Sequence, residues 1–89
     1  MSARAIADLQ GLGPKSQSML AGAGIKTVTQ LELLGSVRAY AKVRATGANA
    51  SLNLLWALEG ALTGLPWQFI AKEHRLSLLL ALEALNGDA

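Results

Sequence analysis

Leu9-Gln10-Gly11-Leu12-Gly13-Pro14-Lys15 can continue neither a helix nor a strand. Two glycines flank a single leucine, and the proline that follows lacks a backbone N–H but has the φ of a first helical turn. The run predicts a tight turn between two helices, the first closed by Gly11 in the left-handed conformation and the second opening at Pro14. Upstream, Ser2 is placed to cap a helix over about Ala3–Leu9 that turns Ile6 and Leu9 inward. Downstream, Met19 and Leu20 supply an apolar face and Gly24 ends the helix. With Gly24 at C′, Ile25 falls at C″ and Leu20 at C3, the pair that packs together in a Schellman motif.

The same reading extends along the chain. Thr27-Val28-Thr29-Gln30 is a capping box, in which the Thr27 hydroxyl accepts from the Gln30 N–H and the Gln30 side chain returns to Thr27. The helix it opens carries Val28, Leu31 and Leu34 and stops at Gly35. Ser36 is positioned to cap a fourth helix to about Thr46, with Val37, Tyr40 and Ala41 inward and Gly47 at its end. Asn49 or Ser51 starts a fifth, with Leu54, Leu55, Leu58 and Leu62 at helical spacing; Gly64 and Pro66 close it. Trp67-Gln68-Phe69-Ile70 reads as a connection, and a last helix runs from about Lys72 to Leu85 before Asn86-Gly87. Nothing reads as a strand, and there is no internal repeat or linker. The expectation is an all-α, small orthogonal bundle of five to six helices, a single domain over residues 1–89.

Composition bounds the function. The 89 residues are 52% hydrophobic and 16% charged, against about 25% charged in typical domains, which excludes intrinsic disorder. A chain of this mass buries about 60% of the surface its unfolded form exposes, enough for one core. The absence of cysteine excludes disulfides, thiolate metal sites and a thiol nucleophile, and a single histidine excludes a histidine metal cluster. Aromatic residues make up 4%, too few for a platform that stacks single-stranded bases. The uncharged run between Arg75 and Glu83 is seven residues long, and that from Ala45 to Leu58 carries Thr46, Asn49, Ser51 and Asn53; neither spans a membrane. No secretory signal is visible, so a cytoplasmic location is expected and no membrane partner. Net charge is +2 with a pI near 9.4, and no two of the eight Lys and Arg residues are adjacent. That balance permits nucleic acid as a partner without requiring it.

Helix, Gly-Leu-Gly, helix is the pattern of a helix-hairpin-helix (SAM-like) element. Gly11 takes a turn that a Cβ obstructs, Leu12 plugs the core, and Gly13 keeps the backbone bare. The first N–H groups of the following helix then point outward without partners, where the positive end of the helix dipole favours a phosphate oxygen. The expected phosphate or DNA-binding residues are Gly11, Gly13, Lys15, Ser16 and Lys26, with Lys15 and Lys26 flanking the helix. Gly-Leu-Gly is equally the turn of an αα-hairpin that binds only protein, and that alternative stands beside the first. Arg38 and Lys42 share a face at i, i+4 and read as a solvated surface; Arg44 lies near the Tyr40 stripe. With about two phosphates neutralised, log affinity falls against log salt with a slope of about −2, the signature of weak, non-specific binding.

Other residues divide between packing and function. Trp56 flanks the apolar stripe of its helix, about 100° from Leu55, and is either core or an anchor at a protein interface. Glu59 reads as a buried or capping carboxylate with a basic partner, Gly60 as a site of close helix approach, and His74 as a surface residue. Asn53 is placed to bond backbone near its helix start. In the last helix, Leu76, Leu78, Leu79, Leu80, Ala81, Leu82 and Leu85 cover most of the circumference. Either this helix is central, or its outer face, with Leu76 and Leu80, meets another chain in a homodimer or a missing domain.

From about Ile6 to Leu85 the chain resembles the C-terminal domain of the TfoX (Sxy) family of bacterial competence regulators. The matching residues are Leu9-Gln10-Gly11-Leu12-Gly13-Pro14-Lys15-Ser16, Met19-Leu20, Ala23-Gly24-Ile25, Thr27, Leu31, Leu34-Gly35 and Ala39-Tyr40-Ala41. The longest block is Ser51-Leu52-Asn53-Leu54-Leu55-Trp56-Ala57-Leu58-Glu59-Gly60-Ala61-Leu62-Thr63-Gly64, followed by Trp67. The resemblance implies a helix-hairpin-helix-like domain in transcription regulation, acting at DNA-uptake gene promoters with a partner transcription factor. Members commonly carry a separate N-terminal domain, absent from this sequence, so the chain is expected to be a fragment or a stand-alone member. The expected partners are duplex DNA, a transcription factor or a TfoX N-terminal domain, and a second copy of the chain.

Two functional classes therefore remain: a DNA-associated regulatory module, and a protein-interaction or dimerisation domain without direct DNA contact. An enzyme is not expected, nor any cofactor or metal. There is no paired-carboxylate or Ser-His arrangement, and Gly-Leu-Gly lacks both the third glycine and the preceding strand of a nucleotide fingerprint.

Overall fold

The computed structural model describes residues 5–9 and 11–87. A single 3₁₀ turn, Ile6–Asp8, precedes five α-helices: α1 (Pro14–Gly22), α2 (Val28–Ala45), α3 (Leu52–Thr63), α4 (Trp67–Glu73) and α5 (Arg75–Gly87). The described residues are all-helical, with no strand among them. Buried side chains from every helix and from the 3₁₀ turn join one core cluster, including Ile6, Leu20, Leu31, Leu55, Leu58, Ile70 and Leu78.

Local capping sets the first half. Pro14 is at the start of α1, and beyond its end the Ile25 N–H donates to Leu20 C=O at 2.9 Å and Gly24 N–H to Ala21 C=O at 3.0 Å. This is the expected Schellman pair, with Leu20 and Ile25 both buried. The capping box forms as expected: Gln30 N–H donates to Thr27 Oγ1 at 3.1 Å and Thr27 N–H to Gln30 Oε1 at 3.2 Å. Gln30 Oε1 also accepts from Lys26 N–H at 2.7 Å, so one side chain satisfies two amides ahead of α2.

Several boundaries differ from the sequence reading. The first helix is reduced to one 3₁₀ turn among the described residues; Ser2, its expected cap, lies outside them. The helices expected on either side of Gly35 are both present and share the label α2, with a non-helical kink between them at Gly35, φ 82 and ψ 168. No L-residue adopts that φ cheaply, so α2 consists of two helical segments that meet at a kink where the sequence places the break. Ser36 does not cap: its hydroxyl donates to Glu59 Oε1 at 2.7 Å. Trp67–Ile70 is not a connection but most of α4. Pro66, read as a stop for α3, is also the N-cap of α4, and its fixed φ suits that position. His74 is the C-cap of α4, and its C=O accepts from Leu78 N–H at 3.0 Å in the first turn of α5. The two helices thus meet at one residue, and α5 begins at Arg75 rather than Lys72 and includes Gly87.

The central helix is α3, which packs against both α2 and α4 and buries Leu54, Leu55, Trp56, Ala57, Leu58 and Gly60. Of the two alternatives for the last helix, the central position is therefore overturned. α5 packs on α2 and α4 through one side, where Leu78 is buried, and turns Leu76 and Leu80 to solvent. At Gly60 the chain folds straight back on α3: Leu65 N–H donates to Gly60 C=O at 3.1 Å. A Cβ there would stand 2.6 Å from Leu65 O, so close approach is the reason for glycine, although the neighbour is the α3–α4 link rather than a second helix.

Candidate functional site at the start of helix α1

The turn before α1 is built by three local constraints. Leu12 N–H donates to Leu9 C=O at 3.1 Å, closing a turn in which Gly11, with φ 86, occupies the third place. That position demands a residue free to enter the left-handed region. Leu12 is buried and anchors the turn to the core. Gly13 follows with φ −133 and ψ −171, the extended conformation imposed on a residue before proline.

Gly13 is not required by the backbone, since any residue adopts those angles, and a Cβ built on it meets nothing within 4 Å. What its bareness provides is open space at the N-cap, with no side-chain hydrogen bond to the first turn of α1. The first internal bond of the helix is Gln17 N–H to Gly13 C=O at 2.9 Å. Among the described residues, nothing accepts from the N–H groups of Gly13, Lys15 or Ser16. Pro14 has no N–H to offer. Lys15 is exposed and Ser16 half-buried, so the amides of α1's first turn and one ammonium share an open edge where the helix dipole is positive.

Four of the five expected residues, Gly11, Gly13, Lys15 and Ser16, therefore lie together on this turn. Lys26 does not join them. It follows the far end of α1, about 12 Å along a nine-residue helix, and its own N–H is held by Gln30. Sequence reasoning missed Gln17, whose Oε1 accepts from Ala7 N–H at 2.7 Å. That bond ties α1 to the 3₁₀ turn. Its partner lies ten residues upstream, and no spacing rule connects the two.

The expected interaction residues separate. Trp56 is 3% exposed and packs in the core, with the Arg75 guanidinium 6.0 Å from its ring centroid; its ring is not accessible as an interface anchor. Leu76 and Leu80 are 70% and 56% exposed, one helical turn apart on the outer face of α5. Glu59 is half-buried and takes the Ser36 hydroxyl, not the basic partner expected. His74 is half-buried, with its ring 5.7 Å from that of Phe69.

Among the described residues, no group of three or more His, Asp or Glu side chains could hold a metal ion, and no helix is long and apolar enough to cross a membrane. A crystal structure of an uncharacterized protein from Listeria monocytogenes, triclinic form, is similar over 94% of this chain and 96% of its own. The two share 27% identity with a TM-score of 0.80. No curated protein matches the chain. A profile of the TfoX C-terminal domain matches residues 2–82, nearly the whole length and including both the α1 turn and α3. The chain therefore belongs to the TfoX C-terminal domain family.

Proposed function

We propose that this domain is a non-enzymatic regulatory module that touches duplex DNA weakly and without sequence preference, holding a backbone phosphate at the start of α1. The observation that carries the reading is the open edge itself. The Gly13, Lys15 and Ser16 amides have no acceptor among the described residues, beside an exposed lysine. A phosphate oxygen there gains charge-assisted hydrogen bonds and the helix dipole together. Membership of the TfoX C-terminal domain family supports placing such a module in the bacterial cytoplasm, in transcriptional control of DNA uptake beside a transcription factor.

Amide chemical shifts on titrating duplex DNA at low salt test the reading. Gly13, Lys15 and Ser16 should move first, and binding should weaken with salt at a log–log slope of about −2. Gly13→Asp separates site from fold. A carboxylate at this N-cap accepts from the first turn and complements the dipole, gaining a few tenths to about 1 kcal/mol of stability. It also occupies and repels the phosphate position, so DNA binding should be lost in a protein that melts no lower. Still signals at those three amides in the folded wild type, or full binding by Gly13→Asp, would remove the hairpin from the reading.

A second reading has its own observation. Leu76 and Leu80 are solvent-facing leucines one turn apart on α5, and we infer that they serve as a protein-interaction or homodimer surface. Sedimentation across a range of concentrations decides it: association abolished by Leu76→Gln/Leu80→Gln supports the surface, and a monomer throughout removes the homodimer.

A further inference from the structure

A different face of the molecule, on neither the α1 turn nor the outer stripe of α5, carries an open cleft between α2 and α5. It consists of three depressions. The largest, of about 500 Å³, is walled by Leu34, Val37, Leu78 and Leu85. A second of about 320 Å³ shares Arg38 and Leu85 with it, and a third of about 350 Å³, floored by Leu82, shares Ala41 and Ala45 with the second. From Val37 to Ala45 the run is about 12 Å along α2, a little over two helical turns.

Among the described residues, the charges on this cleft are mostly positive. Arg38, Lys42 and Arg44 line it and all three are exposed; Arg44 lies with its guanidinium 5.9 Å from the Tyr40 ring centroid. Among the described residues, the acidic group that lines it is Glu59 at one end, and that carboxylate is engaged by the Ser36 hydroxyl. Glu83 stands about 160° round α5 from Ala81, away from the cleft. An apolar floor fringed by bases fits an occupant that is apolar on one side and acidic on its flanks. Phosphodiester backbone satisfies the bases but has nothing to lay on leucine, so nucleic acid matches only half of the surface.

We propose that the α2–α5 cleft docks an acidic amphipathic helix of a partner protein. Its apolar residues at i, i+3 or i+4, and i+7 lie along Val37, Leu78, Leu82 and Leu85, and its carboxylates face Arg38, Lys42 and Arg44. This is helix-in-groove recognition, in which apolar anchors supply affinity and the charged rim supplies orientation and encounter rate. The proposal does not depend on phosphate binding at α1.

The test uses a fluorescein-labelled synthetic peptide of about fourteen residues, long enough to form a helix on binding. Leucines are placed at helical spacing on one side and glutamates on the flanks. Controls are a scrambled peptide of the same composition and the Lys15→Glu variant, altered at the α1 turn. Saturable binding is expected, with the scrambled peptide inert and Lys15→Glu unchanged. Arg38→Glu/Lys42→Glu should weaken binding about tenfold, and Ala41→Trp, which fills the floor, should weaken it as well. The rim variant alters only exposed side chains and so carries the test if Ala41→Trp fails to fold. Absence of saturable binding, equal binding of the scrambled peptide, insensitivity to the rim reversal, or equal loss in Lys15→Glu would each overturn the proposal.

Discussion

α3 carries five leucines in twelve residues and α5 six in thirteen, yet the molecule uses them oppositely. α3 has neighbours on two sides, α2 and α4, and buries Leu54, Leu55 and Leu58 together with Trp56 and Ala57. α5 lies over α2 and α4 from outside; Leu78 is buried while Leu76 and Leu80 face water. Apolar content alone does not make a helix central. What admits α3 to the middle is Gly60, where the absence of a side chain lets the returning chain lie directly on the helix. Among the described residues, α5 shows no such contact.

The contrast can be broken most severely from the α3 side. Leu58 is fully buried, so Leu58→Ala should cost about 3–5 kcal/mol, and Leu80→Ala on α5 well under about 1 kcal/mol. Urea denaturation of the two variants measures both. Equal losses would mean that α5 is buried in solution, as in an oligomer. Next comes Gly60→Ala. Alanine improves helix propensity by about 1 kcal/mol, but its Cβ would meet a backbone oxygen at 2.6 Å. A clash with backbone relaxes poorly, and a net loss of about 2 kcal/mol is expected. A stabilised variant would show that the α3–α4 link is free to move away.

Smaller effects sharpen the comparison. Thr27→Ala removes one half of the capping box and should cost about 1 kcal/mol, or about 4–8 °C in thermal midpoint for a domain of this size. Ser36→Ala removes the hydroxyl bonded to Glu59 across α2 and α3 and should cost about 1–2 kcal/mol. If Ser36→Ala has no effect, the bond adds nothing beyond what water offers Glu59, and the α2–α3 contact rests on apolar packing.

Which features were legible in the sequence follows from how far their causes extend along the chain. The Schellman pair at Leu20 and Ile25 and the box at Thr27 and Gln30 close within five residues, and both form as read. The α1 turn is equally local, as is the family pattern that runs through it. Trp67–Ile70 was misread because a seven-residue helix with no Ser, Thr, Asp or Asn cap has little local signature. Its state is set by Ile70 reaching the core, a contact with residues far away in sequence. Ser36 and Glu59 are 23 residues apart, and Ser36 after a glycine looks like a cap until that partner is known. Trp56 was ambiguous for a related reason: a position flanking a stripe is exposed in a surface helix and buried in a central one. Arg38 and Lys42 read as a solvated face, and both are exposed; α2 alone does not disclose that α5 lies beside them.

α4 passes into α5 through His74 with no spacer. Inserting one residue at that joint would rotate everything after it by about 100° about the helix axis, swinging Leu78 toward solvent and a different flank of α5 toward the bundle. The orientation of the C-terminal helix is therefore counted out by the length of the short helix before it. A single-residue insertion or deletion at this junction should turn α5 by a little more than a quarter turn, taking Leu78 off the core even though every leucine in the helix is retained.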